Sequence, residues 1–171
     1  MHRPLTLDTP SFASDDNGFD LVRTVLWGTL LTGTLDGLEA TAFWALRGVA
    51  TSRVFQGIAA GVLGRSAFDG GAATAALGIA LMFFICAVIV ALYVSASRWL
   101  PSLAERPWRW GPVYGAVTFT VMNFVVVPLS AASGRALHLV PMLNCLAANI
   151  ACIGIPTALV ARAAARSRDR L

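Results

Sequence analysis

Long stretches of this chain carry no charge, and short arginine-bearing segments separate them. Charge is absent for 28 residues between Asp69 and Arg98, for 25 between Arg109 and Arg135, and for 26 between Arg135 and Arg162. A bilayer core about 30 Å thick takes roughly 20 helical residues to cross, so each stretch is long enough. Pro128 and Pro156 come late in their stretches, where a membrane helix tolerates proline if neighbours re-satisfy the freed carbonyl. A fourth stretch of 23 residues lies between Arg23 and Arg47 and is apolar apart from Asp36 and Glu39 and its small residues. The pattern predicts an all-α integral membrane bundle of four transmembrane helices, with spans near 22–46, 73–97, 111–131 and 140–161. Residues 1–20 read as a flexible polar tail, 21–163 as the membrane domain and 164–171 as a basic tail. The first residues do not read as a signal peptide, because no basic start runs directly into an apolar core.

One segment resists this scheme. VFQGIAAGVLG (54–64) is an apolar run of 11 residues between Arg53 and Arg65, too short to cross. It predicts a short helix after the first span, either interfacial or re-entrant. Gly57, Gly61 and Gly64 would let its backbone approach the bundle closely.

Composition agrees with the pattern. Hydrophobic residues make up 57% of the 171 positions and charged residues 13%, against roughly 45–50% and about 25% in soluble proteins. The mean hydropathy is +0.69. A water-soluble globule, a disordered chain, a coiled coil and a disulfide-stapled module are excluded as the main class. All 13 basic residues are arginine, which points to a GC-rich bacterial genome. They flank apolar runs, which suits lipid headgroups better than nucleic acid.

Counting arginines sets an orientation. Arg3, Arg23, Arg98, Arg106, Arg109, Arg162, Arg166, Arg168 and Arg170 fall on one side, against Arg47, Arg53, Arg65 and Arg135 on the other. The expectation is a multi-pass protein of the bacterial inner membrane with both termini cytoplasmic. Trp99, Trp108 and Trp110 stand among Arg98, Arg106 and Arg109, so this loop reads as an interfacial anchor.

Ionisable groups inside a span cost on the order of 2.5–3.5 kcal/mol on insertion scales. Asp36 and Glu39 therefore lead the candidate site, joined by Thr32 on the same helix and by Asn123 and Asn149 near the middles of the third and fourth spans. Small residues, including Gly33 and Gly37, flank the carboxylates, so this face should point into the bundle or a dimer seam. Three roles fit the carboxylates: structural pairing with Arg65, Asn123 or Asn149, a cation or proton relay, or acid catalysis near a headgroup. DGLEA (36–40) begins like the metal-binding signature of lipid phosphatidyltransferases, but Thr41 stands where an arginine is needed and the later carboxylates are absent. That family is excluded. The lone His138 reads as an interfacial hydrogen-bonder. Cys86, Cys145 and Cys152 lie in apolar runs without a CxxC pair and read as small hydrophobes. No catalytic residue, metal site or cofactor is implied.

TLDGLEATAFWALRG (34–48), VFQGIAAGVLGRSAFDGG (54–71) and MNFVVVPLS (122–130) together resemble small four-span inner-membrane proteins of proteobacteria, loosely the YagU-like group. The resemblance implies the bundle and the membrane location, with no assigned chemistry. In sequences of that pattern a histidine often stands early in the second span; here Met82 holds that place. The functional expectation is an ion, proton or small-solute pathway centred on Asp36 and Glu39. The alternatives are a structural or accessory subunit, meeting a partner protein or a second copy in the lipid bilayer, and a headgroup-acting enzyme.

Overall fold

The computed structural model describes residues 13–131 and 138–168, with side chains described from residue 21 to 131 and from 138 to 167. Arg3, Arg135, Arg170 and most of the expected N-terminal tail lie outside these residues. The described chain is all helical, with no strand among the described residues. Its elements are α1 (Ala13–Ala45), α2 (Thr51–Leu63), a 3₁₀ turn (Gly64–Phe68), α3 (Gly71–Trp99), α4 (Pro101–Glu105), α5 (Pro107–Leu129) and α6 (Leu139–Ser167).

Of these, α3, α5 and α6 are long and apolar enough to cross a membrane, at 29, 23 and 29 residues. Large apolar side chains such as Phe84, Leu92, Val117 and Phe124 point outward from them. Apolar surface on that scale belongs in lipid, which marks the chain as a membrane protein. At 33 residues α1 is longer than any of the three, but its threonines, glycines and five acidic residues leave it outside that apolar set. It starts at Ala13, so residues 13–20, read from the sequence as the end of a tail, continue the helix. Likewise α6 carries on through residues 164–167.

Local chemistry sets several boundaries. Pro101 and Pro107 open α4 and α5 in the first turn, where a missing N–H costs nothing. Gly64 closes α2 with φ 63°, its N–H bonding to the Ala60 carbonyl, a left-handed cap that favours glycine. At 13 residues, α2 is about 20 Å long, short of a bilayer core. It packs across the ends of other helices. The Phe55 carbonyl sits where a Cβ on Gly78 would go. The Gln56 amide donates to the Gly71 carbonyl at 3.0 Å, and the Ala131 N–H donates to the Gly61 carbonyl at 3.0 Å.

Small residues let the long helices approach. Along the α1–α3 seam a Cβ on Gly28 would lie 2.7 Å from Val90, one on Gly33 2.6 Å from Phe83, and one on Gly37 3.0 Å from Met82. The partners descend in number as the glycines rise, so the two helices run antiparallel. Between α5 and α6 the contact is backbone on backbone. Gly111 and Gly115 face Gly154, and a Cβ on Gly115 would lie 2.6 Å from the Asn149 carbonyl. Close approach of this kind is what drives helix association where lipid is as apolar as the side chains.

One end of the bundle is solid. Val90, Tyr93 and Val94 from α3 pack with Ala158 and Ala161 from α6, and Leu21, Leu103 and Tyr114 close around them. The Tyr93 hydroxyl donates to the Leu103 carbonyl at 3.0 Å and the Tyr114 hydroxyl to the Ile89 carbonyl at 2.7 Å. Their rings meet at 4.7 Å between centroids. Trp99, Trp108 and Trp110 with Arg98, Arg106 and Arg109 are all exposed beside this end, in and around α4.

Candidate functional site

The other half of the bundle is hollow. Contacts between α1 and α6 concentrate from Asn149 onward. Before that point the helices part around a cavity of about 710 Å³. Its walls come from the C-terminal part of α1, the middle of α3, the C-terminal part of α5 and the N-terminal half of α6, with Ile58 of α2 beside them.

Two prolines shape the walls. A helical proline offers no N–H and its ring crowds the carbonyl four residues back. In α5 the turn before Pro128 widens into a π turn at Met122–Val126, and in α6 the turn before Pro156 does the same at Asn149–Gly154. An asparagine stands at each widening. The Asn123 amide donates to the Phe119 carbonyl at 3.0 Å and the Asn149 amide to the Cys145 carbonyl at 2.9 Å, each one turn back on its own helix. Both amides also reach Cys145 Sγ, at 3.8 Å from Asn123 and 3.5 Å from Asn149. The bond from Asn123 crosses from α5 to α6.

Asp36, Glu39, Asn123 and Asn149 all line the cavity, so four of the five polar residues singled out from the sequence meet there. Thr32 does not line it. Thr32 is fully buried, and its hydroxyl donates to the Gly28 carbonyl at 2.9 Å, a bond within α1. Glu39 accepts a hydrogen bond from Asn144 Nδ2 at 2.7 Å, which ties α1 to α6 across the hollow. Among the described residues, no hydrogen-bond or ion-pair partner reaches the Asp36 carboxylate. Arg65 is exposed in the turn Gly64–Phe68 and lines no part of the cavity, so it is a partner to neither carboxylate.

Sequence reasoning missed Asn144. It is the third amide among the described residues of an otherwise apolar pair of spans, and that rarity was the available signal. Five sulfur side chains also stand in the wall: Cys86 and Cys145, which the sequence presents as small hydrophobes, and Met82, Met122 and Met142. His138, expected as an interfacial hydrogen-bonder, precedes α6 and lines the cavity. The Arg47 guanidinium lies 3.6 Å from the centroid of the Phe43 ring, itself a cavity residue, in a cation–π contact.

The arrangement is a mostly apolar chamber with acceptor groups on α1 and amide donors on α5 and α6. Among the described residues no arginine lines it. Such a chamber favours a cation or a hydrogen-bonding neutral solute over an anion. Comparison with known proteins returned no matching family model, no matching curated protein and no matching solved structure.

Proposed function

We propose that this chain is a multi-pass protein of the bacterial inner membrane that carries an ion, a proton or a small solute through a site centred on Asp36 and Glu39. One observation carries the reading: the Asp36 carboxylate faces a cavity of about 710 Å³ and no partner reaches it among the described residues. A carboxylate in a span is costly. One that is left open to a chamber is best explained by something that enters the chamber.

The antiparallel seam of α1 on α3 supports α1 as a fourth span, with its polar face turned inward. With four spans, the arginine count favours a cytoplasmic position for the solid end of the bundle and both termini, with the cavity in the opposite half. A reporter that fluoresces only in the cytoplasm, fused after Leu171, is expected to light up. Activity of a periplasm-only reporter at that position would mean an odd number of spans.

The site itself is tested in vesicles. The purified chain in liposomes, with a potential imposed across the bilayer, is expected to pass protons or monovalent cations. Asp36→Asn keeps the shape and removes the charge. It is expected to reduce that flux at least tenfold while the protein unfolds at the wild-type temperature. Equal flux through both proteins would sink the reading.

A further inference from the structure

Sulfur is gathered in this protein beyond what apolar filling requires. Six methionine and cysteine side chains lie among the described residues, and five line this cavity. Met82 and Cys86 come from α3, Met122 from α5, and Met142 and Cys145 from α6. Spacings of four and three residues put each pair on one helix face. Met82 Sδ lies 3.5 Å from where a Cβ on Gly37 would stand, next to Asp36 along α1. Cys145 Sγ is held against the wall by the Asn123 and Asn149 amides. A hydrophobic wall could be built from leucine and valine, as the outer faces of the same helices are.

We propose that the cavity is a binding site for a soft monovalent metal ion of the Cu(I) and Ag(I) class, taken up by thioethers of Met82, Met122 and Met142 and the sulfur of Cys145. This names the ion for the pathway proposed above and rests on that reading. Thioether and thiolate sulfur select soft ions, whereas carboxylate and water suit hard ones. Among the described residues no group of three or more His, Cys, Asp or Glu could hold a metal ion, so zinc has no ready set of ligands. Methionine has three rotatable bonds beyond Cα and a polarisable sulfur, so thioethers on separate walls can swing onto one ion. Binding breaks the S–H bond of Cys145 and forms a sulfur–metal bond. The proton passes to water, and the metal keeps its oxidation state.

The test uses the full chain in detergent, in a Cys152→Ser background that removes the one described sulfur outside the cavity. Ag(I) is titrated in chloride-free buffer, and Cu(I) is supplied from a competing chromophoric chelator. One ion per chain is expected. Methionine to leucine conserves volume and apolarity while removing the donor. Met82→Leu, Met122→Leu and Met142→Leu together are expected to weaken binding at least 100-fold, and each alone about fivefold. The single variants decide the matter if the triple variant does not fold. Cys145→Ser is expected to weaken binding and to abolish proton release on binding. Binding unchanged in the leucine variants, or no binding by the parent protein, overturns the assignment. If Asp36→Asn still removes proton or cation flux in vesicles, the pathway stands without its soft metal. An organic cation would bind the leucine variants as well as the parent, which separates that occupant from a metal.

Discussion

Gly154→Leu is expected to prevent α5 from seating on α6. A Cβ on Gly154 would meet the Gly111 carbonyl and the backbone of Gly115, and backbone cannot turn aside as a side chain can. Overpacking a core typically costs 1–3 kcal/mol. With backbone on both sides, the loss here should exceed about 3 kcal/mol, in the range of severe single substitutions. Thermal unfolding in detergent reads it as a large drop in midpoint or as failure to recover folded protein. Gly61→Ala is the contrasting case. Its Cβ would meet only Ser130, at 3.9 Å, and the site is inside α2 with ordinary helical backbone. Alanine there should stabilise by roughly 0.4–1 kcal/mol, mainly by restricting the unfolded chain. Similar midpoints for the two variants would show that the α5–α6 contact is not made at Gly154.

Asn144→Leu should destabilise the hollow half of the bundle by about 1.5–3 kcal/mol, the range for a hydrogen bond to a charged group. The substitution strips Glu39 of the amide that holds it at 2.7 Å and leaves a partly buried carboxylate without that donor. Removing both partners is a different matter, because a missing pair leaves nothing unsatisfied. Glu39→Leu combined with Asn144→Leu should therefore recover most of the loss. The four proteins form a double-mutant cycle, read by unfolding in detergent. Additive losses in the double variant would mean that Glu39 and Asn144 act apart. Flux through Asp36, measured on the same proteins, tells whether the tie serves the carboxylate beside it.

How far the sequence could be read depended on range. The three charge-free stretches became α3, α5 and α6 because span length and apolarity are properties of one segment at a time. The role of Gly33 and Gly37 was legible as a small-residue face, and α3 is what fills it, through Phe83 and Met82. Segment 54–64 was legible as too short to cross, but its seat depends on Gly78 and Ala131, far along the chain. Among the site residues, Asp36 and Glu39 stood out because charge is expensive in a span. Thr32 shared their stripe yet satisfies itself on the Gly28 carbonyl, an option every helical threonine has. Asn144 and the sulfur wall were hidden for another reason. An amide or a thioether costs a helix little, and only the gathering of four helices shows that they share a room.

The two widened turns before Pro128 and Pro156 carry a consequence for helical bookkeeping. A π turn takes in about one residue more than an α turn, so it works as a phase shifter: everything after it is rotated by roughly 100° relative to an unbroken helix. A wheel drawn from Leu139 at constant pitch therefore assigns the wrong faces beyond Gly154. The same rotation lets α6 present an asparagine to the chamber before the turn and Gly154 to α5 within it, then Ala158 and Ala161 to the solid core after it. One helix thus serves two halves of the bundle that differ in packing, and the change of phase falls at the floor of the chamber, where hollow gives way to solid.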